Sequence, residues 1–345
     1  MSNEMFGFIG LIALLVLMFL KTPLGVAFTL IGAVGIIIIK SYGVGISTFD
    51  LFPYSWSSMY AFSCLPMFVL LGVVAAQTGT AKDLYSATHR WVGRLPGGLA
   101  MATLVVTAFF SALSGSSVAS VATITTTCYP EMKRYGYEDS LATGCITAGA
   151  SMDIMIPPSI PMIIYGMIAE VSIGKLFLAG FIPGFLEVIV FGLIVYTMVK
   201  LNPSLAPLST EAPVSFMEKV KRSKGMVPTV IIFLLVFGGM YSGVFTPTEA
   251  GAMGVFVAII VSLVMKRLQW KVLKNALIHT ARLTGTVFMI LIGVAFFNTF
   301  VTFSGLPEAL SKWMVGIGMR PLIFLIVVSA IYFPLGALMD EISMM

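Results

Sequence analysis

Long apolar runs separated by short charged gaps set the pattern of this chain. A helix crossing a bilayer needs about 20 apolar residues. Runs approaching or exceeding that length fall at residues 5–20, 23–39, 61–76, 141–168, 176–199, 227–241, 250–264, 286–303 and 321–339. Each is continuous rather than alternating, which predicts helices and excludes the period-two segments of a transmembrane barrel. Residues 41–58, bearing Gly, Tyr and Trp, are predicted to form a loop at headgroup level, and 306–315 a short amphipathic piece. In 80–94, Leu84, Ala87, Trp91 and Val92 share a helical face against Lys82, Asp83, His89, Arg90 and Arg94. That pattern predicts a helix lying in the membrane interface.

Two stretches break the pattern. The apolar pieces 99–113 and 118–127 are separated by Ser114-Gly115-Ser116-Ser117, and the second is too short to span alone. Basic residues flank both ends, Arg90 and Arg94 before and Lys133 and Arg134 after, so the positive-inside rule puts both ends in the cytoplasm. A re-entrant hairpin over about 96–128 follows, its tip at Ser114–Ser117. The run at about 140–170 holds Asp153 and the pair Pro157-Pro158. Proline removes a donor and disfavours helix in the residue before it, which predicts a broken helix. Irregular backbone at membrane depth is tolerated where it lines a polar cavity, and such breaks mark the sites of secondary transporters.

Composition agrees with this class. Hydrophobic residues make up 58% and charged residues 10% of the 345, and mean hydropathy is +1.02, whereas soluble domains carry roughly 25% charge. The expected fold is an all-α polytopic membrane protein. The net charge of +5 sits in short loops, where it sets topology and gives no reason to expect nucleic acid. Cys64, Cys128 and Cys145 show no metal or disulfide spacing. The N-terminus lacks a basic leader region, so residues 5–20 are read as a retained helix.

The runs also suggest an internal repeat. Gly32-Ala33-Val34-Gly35 resembles Gly251-Ala252-Met253-Gly254, Gly72 matches Gly293, Trp91 matches Trp313 and Pro96 matches Pro321, at a nearly constant shift. Counting crossings by loop charge places 201–226 in the cytoplasm as a linker. Residues 1–200 and 227–345 then form two oppositely oriented repeats, an inverted-repeat transporter plan. A span at 175–199 connects the broken helix to the linker. In that register the counterpart of 111–159 begins near Gly336, and the stop at Met345 is read as a truncated second repeat.

A hard cation such as sodium prefers oxygen ligands. Ser111 and Ser114 lie three apart on one face, and backbone carbonyls near Asp153, Ile156 and Pro158 are placed to join them. Gly115, Ser116, Ser117 and Ser159 stand where half-helix N-termini present N–H groups to an anionic substrate. A carboxylate inside a span, Asp153, is a functional-site hypothesis by default. Against it stands a neutral or hydrated acid, and against the serine site stands small-residue helix packing. Thr246, Glu249, Gly336 and Asp340 are candidates for a second site, with Glu249 equally suited to cap a helix. A serine protease at Ser116 or Ser117 needs a base at the same depth, and His89 and His279 lie in polar flanks. A channel and a non-transporting scaffold are also compatible with a bundle of apolar helices.

Ser114-Gly115-Ser116-Ser117-Val118-Ala119, Ile156-Pro157-Pro158-Ser159-Ile160 and Phe245-Thr246-Pro247-Thr248-Glu249-Ala250-Gly251 resemble the large membrane subunit of TRAP transporters, the DctM-like permeases. The resemblance covers the whole chain. It implies a sodium-driven elevator in the bacterial inner membrane, importing organic acids such as dicarboxylates, sialic acid or other sugar acids. Its implied partners are a small four-helix membrane subunit and a periplasmic substrate-binding protein, with sodium as coupling ion and no other cofactor. By motif position, it implies a first sodium site at Ser111, Ser114, Asp153, Ile156 and Pro158. One departure is Asp153, where this family usually has Gly; proton coupling stays open for that reason. The family chain also continues past Met345.

Overall fold

The computed structural model describes residues 2–114, 117–207, 217, 219, 223–318 and 320–338. Among them the protein is an all-α polytopic membrane protein, with four helices long and apolar enough to cross a bilayer. The order is α1 (Asn3–Phe19), α2 (Leu24–Ile39), α3 (Tyr42–Ser57), α4 (Cys64–Gln77), α5 (Thr80–Val92), α6 (Gly98–Ser114) and α7 (Ser117–Arg134). There follow α8 (Asp139–Ser151), α9 (Ile160–Ile168), α10 (Ile173–Leu201), α11 (Val227–Tyr241), α12 (Pro247–Val264), α13 (Trp270–Ser304), α14 (Leu306–Gly316) and α15 (Pro321–Leu338).

The chain divides into two compact units, a terminal one of Met1–Phe62 with Arg282–Met345 and a central one of Ser63–Ala281. Lipid is as apolar as a leucine side chain, so helices in a bilayer associate through close packing rather than hydrophobic exclusion. In the terminal unit α2 meets α13 through glycine: a Cβ on Gly25 would lie 2.6 Å from the Met289 carbonyl oxygen. Ala33 and Ile36 then pack on Phe296 and Phe300. In the central unit, Gly251 and Gly254 of α12 face Met67, Phe68 and Leu71 of α4.

Three elements differ from the sequence expectation. Residues 41–58 are a helix, α3, rather than a loop. The Ser41 hydroxyl accepts from Val44 N to start it, and Phe49 and Phe52 pack on Phe296. Tertiary packing outweighs the poor helix propensity of Gly43, Gly45 and Pro53. The helix α5 exists as expected, but much of its apolar face packs on protein. Ala81, Leu84 and Tyr85 are buried against Ala102, Val106 and Phe110 of α6 and Ile124 and Cys128 of α7. Finally, α13 runs for 35 residues from Trp270, about 52 Å at 1.5 Å per residue. Lys271 and Lys274 therefore sit in its first turns rather than in a loop.

Residues 2–92 form five helices and residues 227–316 four, each stretch ending in a short helix entered through a glycine. Gly79 enters α5 and Gly305 enters α14, both as left-handed N-caps (φ 83° and 69°). Only glycine adopts that conformation without a Cβ penalty. Arg267, just beyond α12, pairs with Asp83 of α5 and donates to the Thr78 carbonyl at 3.3 Å, which closes the central unit on one side.

Candidate functional site

The site is assembled from two interrupted elements of the central unit. The first is the hairpin of α6 and α7, which fold back on one another across the break after Ser114. Leu99 N donates to the Tyr137 hydroxyl at 3.1 Å and fixes the hairpin's base. Along α6, Thr103 and Thr107 are fully buried. Each satisfies its hydroxyl on the carbonyl one turn back, Thr103 on Leu99 at 2.9 Å and Thr107 on Thr103 at 2.7 Å. The next position in that row of four is Ser111. The side chains of Ser111 and Ser114, and all of Gly115 and Ser116, lie outside the described residues.

The second element is the broken helix. α8 ends at Ser151, a single 3-10 turn carries Met152–Ile154, and regular helix resumes at Ile160. Ser159 is buried and closes the gap: its hydroxyl donates to the Ile154 carbonyl at 3.0 Å and accepts from Met162 N at 3.5 Å. Ile156, Pro157 and Pro158 are buried too. Their carbonyls are hard oxygen donors of the kind a cation such as sodium takes.

The 3-10 turn is the hub. It packs against α6, α8, α9 and α10, and its Asp153 is fully buried. Ser117, the first residue of α7, donates its hydroxyl to Asp153 Oδ2 at 2.9 Å. The two breaks thus meet, and a hydroxyl and a carboxylate from residues 36 apart share one place. Close approach of α6 and α8 permits this, because a Cβ on Gly149 would lie 2.6 Å from that of Thr107.

Of the sequence candidates, Ser117, Asp153, Ile156, Pro158 and Ser159 are in or beside this hub. Thr246 and Glu249 are not part of it. They form a reciprocal capping box at the exposed start of α12, Glu249 Oε2 accepting from Thr246 N at 2.8 Å and Thr246 Oγ1 accepting from Glu249 N at 3.3 Å. Gly336 lies exposed in α15, and Asp340 falls outside the described residues. Sequence reasoning missed Thr103 and Thr107, although their spacing of four inside an apolar run was a visible signal. It also missed an exposed cluster at the hairpin's exit. There Lys133 lies 2.7 Å from Asp139 and the Tyr129 hydroxyl 2.9 Å from it, holding its carboxyl below the usual carboxylate range.

Residues 11–345 match the family described as "Tripartite ATP-independent periplasmic transporter, DctM component". The chain is 31% identical to a C4-dicarboxylate TRAP transporter large permease protein of Pseudomonas aeruginosa, over 83% of this chain and 66% of that protein. It is 26% identical to the sialic acid TRAP transporter large permease protein of Vibrio cholerae, over 100% of this chain and 78% of that one. An ectoine/5-hydroxyectoine TRAP large permease of Ruegeria pomeroyi is 31% identical over 78% of this chain and 62% of its own length.

Proposed function

The chain belongs to the DctM component family of tripartite ATP-independent periplasmic transporters, and from that premise we propose that it forms the membrane pathway for a small organic acid, coupled to a cation gradient. The observation that carries this reading is the meeting of the two breaks at Ser117 and Asp153. A hydroxyl, a buried carboxylate and the carbonyls of Ile156 and Pro158 make a set of hard oxygen donors, which suits sodium. Ser111 and Ser114 complete the proposed ion site from α6. The start of α7 at Ser117 offers N–H groups to an anionic substrate, and the sequence pattern adds Gly115, Ser116 and Ser159 as proposed substrate residues.

The proposed partners are a small four-helix membrane subunit and a periplasmic substrate-binding protein that selects and delivers the acid. The proposed location is the bacterial inner membrane, and the proposed movement is an elevator-like displacement built on two inverted repeats. The left-handed glycine N-caps before α5 and α14, Gly79 and Gly305, support the repeat. The relatives' names span dicarboxylates, sialic acid and ectoine, so the proposed substrate class is a small carboxylate.

One observation favours a second coupling ion. Asp153 is a fully buried acid, and a membrane-embedded carboxyl is a ready proton carrier. Uptake of labelled organic acids into proteoliposomes holding the chain, its small subunit and its binding protein separates the readings. Uptake that requires inward sodium supports the sodium site. Uptake driven by a proton gradient alone moves coupling to Asp153. Absence of uptake across a broad acid panel, with the complex intact, overturns the transport reading.

A further inference from the structure

Away from the hub, the central unit carries an almost wholly apolar cleft walled by three helices. Each wall is a stripe at helical spacing: Leu84 and Thr88 of α5, Val105 and Phe109 of α6, and Met226 with Val230 of α11. The cleft has a volume of about 230 Å³. The rings of Phe109 and Phe233 face one another across it, 6.0 Å apart. Its mouth opens sideways, since Phe109 and Val230 are 38% and 37% exposed. In a polytopic membrane protein a sideways apolar opening faces lipid.

The outer end has a different chemistry. Continuing the α5 stripe by three residues brings Trp91, whose indole N–H donates to the Ser223 hydroxyl at 3.1 Å. The Lys219 ammonium lies 5.8 Å from the Trp91 ring centre, in a segment that also holds Lys221, Arg222 and Lys224. A tryptophan beside a lysine suits the headgroup level, and the run of positive charge in the sequence of 219–224 assigns that level to the cytoplasmic face by the charge rule. From Met226 to Leu234 the α11 wall is about 12 Å long at 1.5 Å per residue. One leaflet's hydrocarbon is about 15 Å deep.

We propose that this cleft is a binding site for an anionic phospholipid of the cytoplasmic leaflet, one acyl chain lying between α6 and α11 and the phosphate held at Lys219 beside Trp91. An apolar slot with the depth of one leaflet fits a tail, and a cation at its wet end fits the headgroup charge. The bound chain touches α6 at Val105 and Phe109, six and two residues before Ser111. The lipid therefore acts on the hairpin that carries half of the hub. Lipid binding itself does not depend on which solute is carried.

The test is photolabelling of the purified chain in mixed vesicles with a diazirine-acyl phosphatidylglycerol, read by peptide mass spectrometry. The outer face of α10, where Ile182 and Leu193 are 76% and 58% exposed, serves as the bulk-lipid reference. Labelling of α5, α6 and α11 at least tenfold above that reference is expected. Val230→Trp, which fills the slot, should remove that excess and leave α10 unchanged. Lys219→Glu should cut the preference for phosphatidylglycerol over phosphatidylethanolamine about fivefold. Should Val230→Trp aggregate, thermal stabilisation by added phosphatidylglycerol in the wild type, lost in Lys219→Glu, answers the same question. Cleft labelling no higher than α10, or unchanged in both variants, overturns the proposal. So does labelling that vanishes when the small membrane subunit is co-purified, which gives the cleft to that subunit.

Discussion

Asp153 and Glu249 look alike in the sequence, two acids near proline at the edge of apolar helix. In the structure they belong to different kinds of place. Glu249 is exposed and spends its carboxylate on its own helix, closing a capping box with a threonine three residues away. Asp153 is fully buried and accepts a hydrogen bond from a serine on another element. The difference teaches that an acid near a membrane helix says little until its donor is known. A donor within one turn marks local closure of a helix end. A donor from a distant element marks a place that the fold was built to assemble.

That contrast can be broken by substitution. The largest effect is expected at Asp153. Replacing it with Ala removes the acceptor of the Ser117 hydroxyl, a loss of about 1 kcal/mol, and should lower uptake at least tenfold. Asp153→Asn keeps an acceptor for Ser117 and removes the charge; full uptake in that variant would show that the charge is dispensable. Asp153→Gly asks whether the carboxylate is needed at all. Next comes Gly149→Val, which drives side-chain atoms into Thr107. Overpacking of this kind costs about 1–3 kcal/mol, seen as a lowered melting temperature with uptake lost in proportion to folded protein.

A smaller effect is expected at Glu249. Loss of the cap in Glu249→Ala should cost about 1 kcal/mol and shift the melting temperature while leaving uptake per folded molecule unchanged. If Glu249→Ala abolishes uptake and Asp153→Ala does not, the comparison is reversed. The smallest effect belongs to Asp139. Its carboxyl is held low first by Lys133 and then by Tyr129. Its contribution is therefore full above the unfolded carboxylate pKa and disappears as pH falls through the lower folded value. The pair is exposed and screened, so the melting temperature of Asp139→Asn should differ from wild type only slightly, and only in low salt above that range.

The hub was half legible beforehand. Clustered Ser and Gly inside an apolar run located the hairpin break, and Pro157-Pro158 located the broken helix, because both violate the rules of a continuous span. That Ser117 would meet Asp153 was not legible, since nothing local fixes a contact between residues 36 apart. The helix α3 was hidden by its glycines and Pro53, whose propensities were outweighed by contacts with Phe296. The amphipathic pattern of α5 was legible, but not that α6 and α7 would cover part of its apolar face. A one-sided apolar stripe is equally satisfied by lipid and by α6 and α7, and periodicity cannot choose between them.

The glycine face of α2 has a consequence for biosynthesis. Its partner surface near Met289 emerges from the ribosome about 260 residues after Gly25, or roughly 13–50 s at 5–20 residues per second. The Gly251 face of α12 likewise reaches α4 long after α4 has been made. Between those times the hairpin and the broken helix, contiguous in the chain, can already close on one another. The hub is thus an early product of synthesis, while α2 and α4 wait in the bilayer for late helices. During that interval they are the segments most open to membrane chaperones and proteases.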